Sequence, residues 1–184
     1  FDRPDLYARY ISLIAATGMP WHHCPGNHDM DRRSDGSGCF ETWHKVFGPS
    51  HYAFKYGGAL FILLNNVAPM PAGQATSTNH DYRGHISWEQ LAFVRNLLNH
   101  IPKDQLVVLS MHIPLVGWED PADPSGHTDN TVALLQMLSG RPNTLSLSGH
   151  THTTEHHYLG QESGFIGPGL HHHHVLTAAS GSWW

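Results

Sequence analysis

Cysteine, charge and long apolar runs are all in short supply in this chain of 184 residues. The only cysteines are Cys24 and Cys39, which do not form a C-x-x-C pair. That excludes a disulfide scaffold or a structural zinc finger and allows at most one disulfide. Charged residues make up 14% of the chain, against roughly 25% in an average soluble protein. Ten Lys and Arg face 15 Asp and Glu, for a net charge of −5. The basic residues are scattered, so no stripe tracks a phosphate backbone, and nucleic acid is not an expected partner. No apolar run approaches the ~18 residues that cross a bilayer; the longest are Ala59 to Leu64 and Leu106 to Leu109. A soluble chain without a membrane span is expected. Neither a starting Met nor a basic-then-apolar leader precedes Phe1, which leaves a cytoplasmic and an exported location equally open.

What the chain has is 40% hydrophobic residues, 18 Gly, 12 Pro and 18 His. It is too apolar for a disordered segment and long enough for one domain with a real core. Leu6, Tyr7, Tyr10, Ile11 and Ile14 recur at helical spacing up to Gly18 and Pro20, and Phe40, Trp43 and Phe47 form a second helical face ended by Gly48-Pro49. Tyr52, Phe54 and Tyr56, then Gly57-Gly58, then Ala59 to Leu64 read as a hairpin. The stretch from Asn65 to Ile86 carries no periodicity and reads as a long functional loop. Ser87 and Gln90 make a capping box for a helix with Leu91, Val94, Leu97 and Leu98 inward. A strand from Gln105 to Ser110 follows. After an irregular stretch from Gly117 to Thr128 comes a helix with Val132, Leu135 and Leu138 inward, stopped by Gly140. Strands are expected at Thr144 to Leu147, near His156 to Leu159 and near His173 to Ala178. Strands alternating with helices predict a layered α/β domain.

Three strand-like runs end in polar clusters: Gly26-Asn27-His28-Asp29, His112, and Gly149-His150-Thr151-His152. Ligand sites of open α/β sheets lie at such ends. Residues two apart on a strand face opposite ways, so His150 and His152 converge only if the chain turns sharply, which Gly149 permits. Taken alone, this pair reads equally well as turn histidines, and Asn27 as a plain turn residue. Together, the imidazoles and the Asn27 amide oxygen form a mixed donor set that suits Zn, Mn or Fe better than Ca or Mg.

These motifs, in this order and with 85 residues from Asn27 to His112 and 38 more to His150, resemble the second half of the calcineurin-like metallophosphoesterase family. The hairpin with Gly57-Gly58, the segment Tyr82-Arg83-Gly84, the Ser87 helix and the closing Gly181-Ser182-Trp183-Trp184 extend the likeness to bacterial members. The resemblance implies a β-sandwich flanked by helices and a dinuclear centre that hydrolyses phosphate mono- or diesters with metal-activated water. It implies that Asn27, His112 and His150 bind one divalent metal and His152 the other, with Mn, Fe or Zn expected. His28 would stand beside the phosphate as proton donor, with Asp29 orienting a neighbouring imidazole. The expected substrate is a phosphate-ester small molecule or a phosphorylated group, selected by the loops Asn65 to Ile86 and Leu115 to Thr128.

The family's first two motifs, Asp-x-His and Gly-Asp, are missing. The expectation is one domain over 1–184, incomplete at its N-terminus and possibly at its C-terminus, with the N-terminal strands missing. The fragment alone is then expected to bind one metal or none. The alternative is a non-catalytic module of the same fold that serves as a binding or scaffold domain.

Most other histidines read as surface or core-edge groups. His171 to His174 read as either a tag-like run or a natural strand with alternate residues facing the site. Trp21, Trp43, Trp88, Trp183 and Trp184 read as core, and Trp118 as a wall on the substrate side.

Overall fold

The computed structural model describes residues 4–31, 39–70, 81–117 and 122–178. Trp118, Trp183 and Trp184 lie outside them, as do residues 71–80 of the long loop. The described chain is a mixed α/β fold whose centre is a six-stranded sheet with the order β1-β2-β5-β6-β8-β7. Its strands are β1 (Tyr52–Tyr56), β2 (Ala59–Leu63), β5 (Val107–Ser110), β6 (Thr144–Ser148), β7 (Glu155–Leu159) and β8 (His171–Val175). The four inner strands, β2, β5, β6 and β8, run parallel, and β1 and β7 pair antiparallel at the edges. A separate ribbon joins β3 (Val67–Pro69) to β4 (Tyr82–Gly84). It lies inside the stretch expected to be an unstructured loop. Three-residue strands are too short to produce a visible alternation.

Side-chain alternation gives the sheet two unlike faces. Leu60, Ile62, Val107 and Leu109 face α3 (Trp88–Asn99) and α4 (Thr131–Leu138), whose Val94, Leu98, Leu134, Leu135 and Leu138 complete one buried core. A smaller core forms where α2 (Glu41–Phe47) brings Phe40 and Trp43 against Val67, Tyr82 and Ile113. The opposite sheet face carries half-buried Phe61 and Leu147.

Several readings change. In α4 it is Leu134 that turns inward beside Leu135 and Leu138, while Val132 is 49% exposed; positions two apart on a helix point about 200° apart, so only one of 132 and 134 can join that face. Ser87 caps α3 by accepting from the Gln90 amide, but the Gln90 side chain is drawn away to the backbone of Asn65. α1 (Pro4–Ala15) forms as the spacing predicts, yet of its apolar stripe only Tyr7 is buried. Trp43 is core as read, whereas Trp21 and Trp88 are exposed. Cys24 and Cys39 are not joined in a disulfide.

The last strand begins two residues earlier than expected and is built from the histidine run. His171 and His173 are fully buried and His172 and His174 half-buried. The natural-strand reading holds, but the inward pair faces polar groups of the core. His171 Nδ1 lies 2.8 Å from Thr144 Oγ1, and its Nε2 lies 2.8 Å from Ser146 Oγ. His173 Nδ1 lies 2.7 Å from the same hydroxyl, and its Nε2 accepts the Leu115 amide at 3.2 Å. Because Nε2 of His173 accepts, its Nδ1 carries the proton and donates to Ser146, whose hydroxyl donates on to His171. Every polar atom of that chain is satisfied without water.

Candidate functional site

β5 and β6 are parallel neighbours, so the turns that follow them leave the sheet at the same edge. Two backbone bonds fasten these turns together: the Met111 amide donates to Leu147 O at 3.1 Å, and the Gly149 amide donates to His112 O at 3.0 Å. His112 and His150 are thereby brought side by side. The sharp bend expected at Gly149 falls instead on the histidines: His150 has φ 74° and His152 has φ 58°. Left-handed backbone is uncommon away from glycine and clusters at functional sites. Here it swings two imidazoles out of the strand alternation.

Asn27 enters from a short 3₁₀ turn, Asn27–Asp29. Its Oδ1 is 2.8 Å from His112 Nε2, and that nitrogen is 3.1 Å from His150 Nδ1. Close approach of this turn needs Gly26, because a Cβ there would sit 3.0 Å from His112 Cε1 and Nδ1. The tautomers follow from the partners. His150 Nε2 faces the Ser125 carbonyl at 3.0 Å; a carbonyl only accepts, so Nε2 carries the proton and Nδ1 presents a lone pair. The Asn27 amide is held by donation of Nδ2 to the Tyr82 hydroxyl at 3.1 Å, which aims Oδ1 at His112. Burial, followed by the positive potential of His150, His28 and His152, pushes the His112 pKa down to about 3. It is a neutral imidazole at pH 7, the form that coordinates cations.

His112 Nε2 thus stands between two acceptors, Asn27 Oδ1 at 2.8 Å and His150 Nδ1 at 3.1 Å, and its N–H faces them. Neighbouring ligand atoms held about 2.0–2.2 Å from a common cation stand about 3 Å apart, so both spacings are of the size that a cation in place of the His112 proton would need. The Nε2–H of His150 on a backbone carbonyl is also the usual arrangement behind a metal-bound imidazole. The fit stops there. Among the described residues no three His, Cys, Asp or Glu side chains form a metal-holding group; the third donor here is an amide. His28 is exposed and His152 half-buried, and both lie near enough to act on His112 electrostatically.

Asp29 does not orient an imidazole. Its two carboxylate oxygens accept from the Gly26 amide and the Tyr7 hydroxyl, each at 2.8 Å, so its work is to fold the turn that carries Asn27. Three positioning residues escaped the sequence reading: Tyr82, Ser125 and Asn66. Asn66 is fully buried. Its Oδ1 accepts the amides of His112 and Ile113 at 3.2 and 3.0 Å, while Nδ2 donates to Ile113 O and Thr128 Oγ1. It clamps the His112 turn to the loop that supplies Ser125. A polar pair directly after the buried run Ala59 to Leu64 was the available signal.

Beside the histidines lies a cavity of about 510 Å³, walled by Phe54, Phe61, Leu63 and Leu147. Cys24 also lines it, but burial pushes that thiol up to about 11, so it is no thiolate nucleophile. No helix among the described residues is long and apolar enough to cross a membrane.

Comparisons with known proteins bear on the family and the fold. The model of the calcineurin-like phosphoesterase family matches residues 1–154. No curated protein matches the chain at the sequence level. Among solved structures, the purple acid phosphatase PPD1 from yellow lupin (Lupinus luteus) seeds superposes with a TM-score of 0.55 at 16% identity, covering 90% of this chain and 34% of that one. The likeness is one of fold, and the chain spans about a third of the length of the lupin protein.

Proposed function

The chain belongs to the calcineurin-like phosphoesterase family, and we propose that it supplies part of the metal centre of a phosphate-ester hydrolase, with Asn27, His112 and His150 as ligands of one divalent cation. The observation that carries this reading is the convergence of Asn27 Oδ1, His112 Nε2 and His150 Nδ1 at spacings of 2.8 and 3.1 Å. Members of the family typically work with two metal ions, and His152 is the residue of this chain offered to the second. Bound at such a site, divalent metal supplies Lewis-acid polarisation of a phosphoryl oxygen and a water acidic enough to attack at neutral pH.

The chain's own residues do the rest. Ser125 O holds the His150 proton on Nε2, and Tyr82 holds the Asn27 amide with its oxygen inward. Burial keeps His112 neutral. To His28, which is exposed, this reading assigns donation of a hydrogen bond to the phosphoryl group or of a proton to the leaving alkoxide. The substrate class is a phosphate mono- or diester, borne by a small molecule or a phosphorylated group. Mn, Fe and Zn suit the nitrogen and amide-oxygen donors.

A second reading, a non-catalytic module that keeps a partial metal site, is favoured by one observation: the carboxylate next to the ligand turn, Asp29, is committed to Gly26 and Tyr7. One pair of variants separates the two. His150→Ala is expected to lose site-bound Mn²⁺ and any hydrolysis of a nitrophenyl phosphate together. His28→Ala is expected to keep the metal and lose hydrolysis. Retention of both metal and hydrolysis by His150→Ala overturns the ligand assignment. Metal binding without turnover in the full-length protein establishes the second reading.

A further inference from the structure

Away from the strand-end turns, β7 and β8 place three more imidazoles on the sheet face opposite α3 and α4. The antiparallel register sets His156 across from His174 and Tyr158 across from His172. On the diagonal, His156 Nδ1 stands 3.0 Å from His172 Nε2. Each ring is braced by a stacking partner: His174 lies over His156 with centroids 4.1 Å apart, and Tyr158 lies over His172 at 4.9 Å. His174 Nε2 is shielded from solvent and has no hydrogen-bond partner.

From this arrangement we infer that His156 and His172 form a bidentate cross-strand site for a late divalent transition metal, Ni²⁺ or Cu²⁺, separate from the strand-end centre. Two nitrogens 3.0 Å apart, each about 2.0–2.1 Å from a cation, subtend about 95° at it. That is a cis angle of the square-planar or octahedral sphere that Ni²⁺ and Cu²⁺ adopt. Neutral imidazoles without a carboxylate disfavour Mg²⁺ and Ca²⁺. Burial and then the neighbouring His156 and His174 lower the His172 pKa, which favours the neutral ring that can coordinate a cation. The stacked partners hold both rings in place before the metal arrives, which removes part of the ordering cost of binding. His174 is stacked rather than aimed at the same point, and its orphaned Nε2 makes it the neighbour that a small ring rotation would recruit. The inference stands on this face alone and does not depend on the function proposed for the strand ends.

The alternative source of Ni²⁺ affinity is the run His171 to His174 acting as a flexible tag. The fold distinguishes them, since His171 and His173 are buried on the other face and His156 is 16 residues from His172 in sequence. The test is Ni²⁺ titration by calorimetry of the folded chain carrying His150→Ala, with far-UV circular dichroism as the check on fold. One Ni²⁺ per chain is expected, with affinity falling tenfold or more in His156→Gln and again in His172→Gln. His100→Gln, an exposed control at the end of α3, is expected to change nothing. Should His172→Gln disturb the fold, His156→Gln on the exposed edge strand decides alone. Unchanged affinity in His156→Gln, or no Ni²⁺ bound by the parent, overturns the inference.

Discussion

At the edge of the sheet, His112 and His150 turn ring nitrogens toward each other and toward an amide oxygen. Within β8, His171 and His173 turn theirs into hydroxyls and a backbone amide. Both pairs flank the same β6, and in both regions burial keeps imidazoles neutral. The difference is in what completes their valence. In His171 and His173 each lone pair already receives a proton from a neighbour, so this buried pair has nothing left to bind a cation. At the edge, the amide oxygen and the His150 lone pair share the single His112 Nε2 proton, an arrangement that one metal ion in its place would satisfy better. The backbone decides which occurs: extended chain sends alternate residues into the core, whereas the left-handed turn at His150 and His152 leaves them at the rim.

The sharpest way to break this comparison is to remove a buried member. His173→Ala would leave the Leu115 amide and Ser146 hydroxyl without their partner and open a cavity. A loss of about 3–5 kcal/mol is expected in urea unfolding. His172→Ala, next along the chain but on the open face, should stay within about 0.5 kcal/mol. Equal effects at the two positions would mean that the alternation does not carry the difference.

Acid comes next in size. Burial lowers the pKa of His171 to about 4 and of His173 to about 3, from an ordinary 6.5. The unfolded chain therefore binds more protons than the native one between these values. Stability is fully present above about pH 6.5 and falls as the pH drops toward 4. The expected loss from pH 7 to pH 5 is roughly 2–4 kcal/mol for the two groups together. A flat stability profile over that interval would refute the buried neutral network.

Much of this architecture was legible in advance, and the exceptions share a cause. Gly-Asn-His-Asp and Gly-His-Thr-His stood out because polar residues interrupt apolar strands at points where a sheet must turn. The hairpin at Gly57-Gly58 was legible for the same reason. Misreadings arose where partners distant in sequence set the outcome. β8 begins earlier than its pattern predicts because histidine is not a core residue until Thr144 and Ser146 supply its hydrogen bonds across the sheet. Asp29 sat beside the ligand motif and was read as its helper, yet its partners are the preceding Gly26 amide and the distant Tyr7 hydroxyl. Asn66 and Tyr82 act on the site entirely through residues 46 and 55 positions away, a separation that local pattern cannot bridge.

Tyr82 gives the smallest and most specific test of how the edge differs from the strand. Its hydroxyl does not meet the metal position; it accepts one Asn27 N–H and so fixes which end of the amide faces His112. Tyr82→Phe keeps the ring, which packs edge-on to His150 with centroids 5.8 Å apart and is 8% exposed. The orientation of the Asn27 oxygen is released. Partners one step behind a ligand are typically worth about 10–100-fold in metal affinity, and a neutral amide as the affected donor puts this case at about tenfold. Stability should fall by no more than about 1 kcal/mol, the value of one neutral hydrogen bond. Mn²⁺ titration of Tyr82→Phe beside the parent measures the first, and urea unfolding measures the second. A tenfold weaker metal with near-native stability makes the edge a site assembled for a ligand. Unchanged affinity would place Tyr82 with the buried histidines, as a group that holds the fold and nothing more.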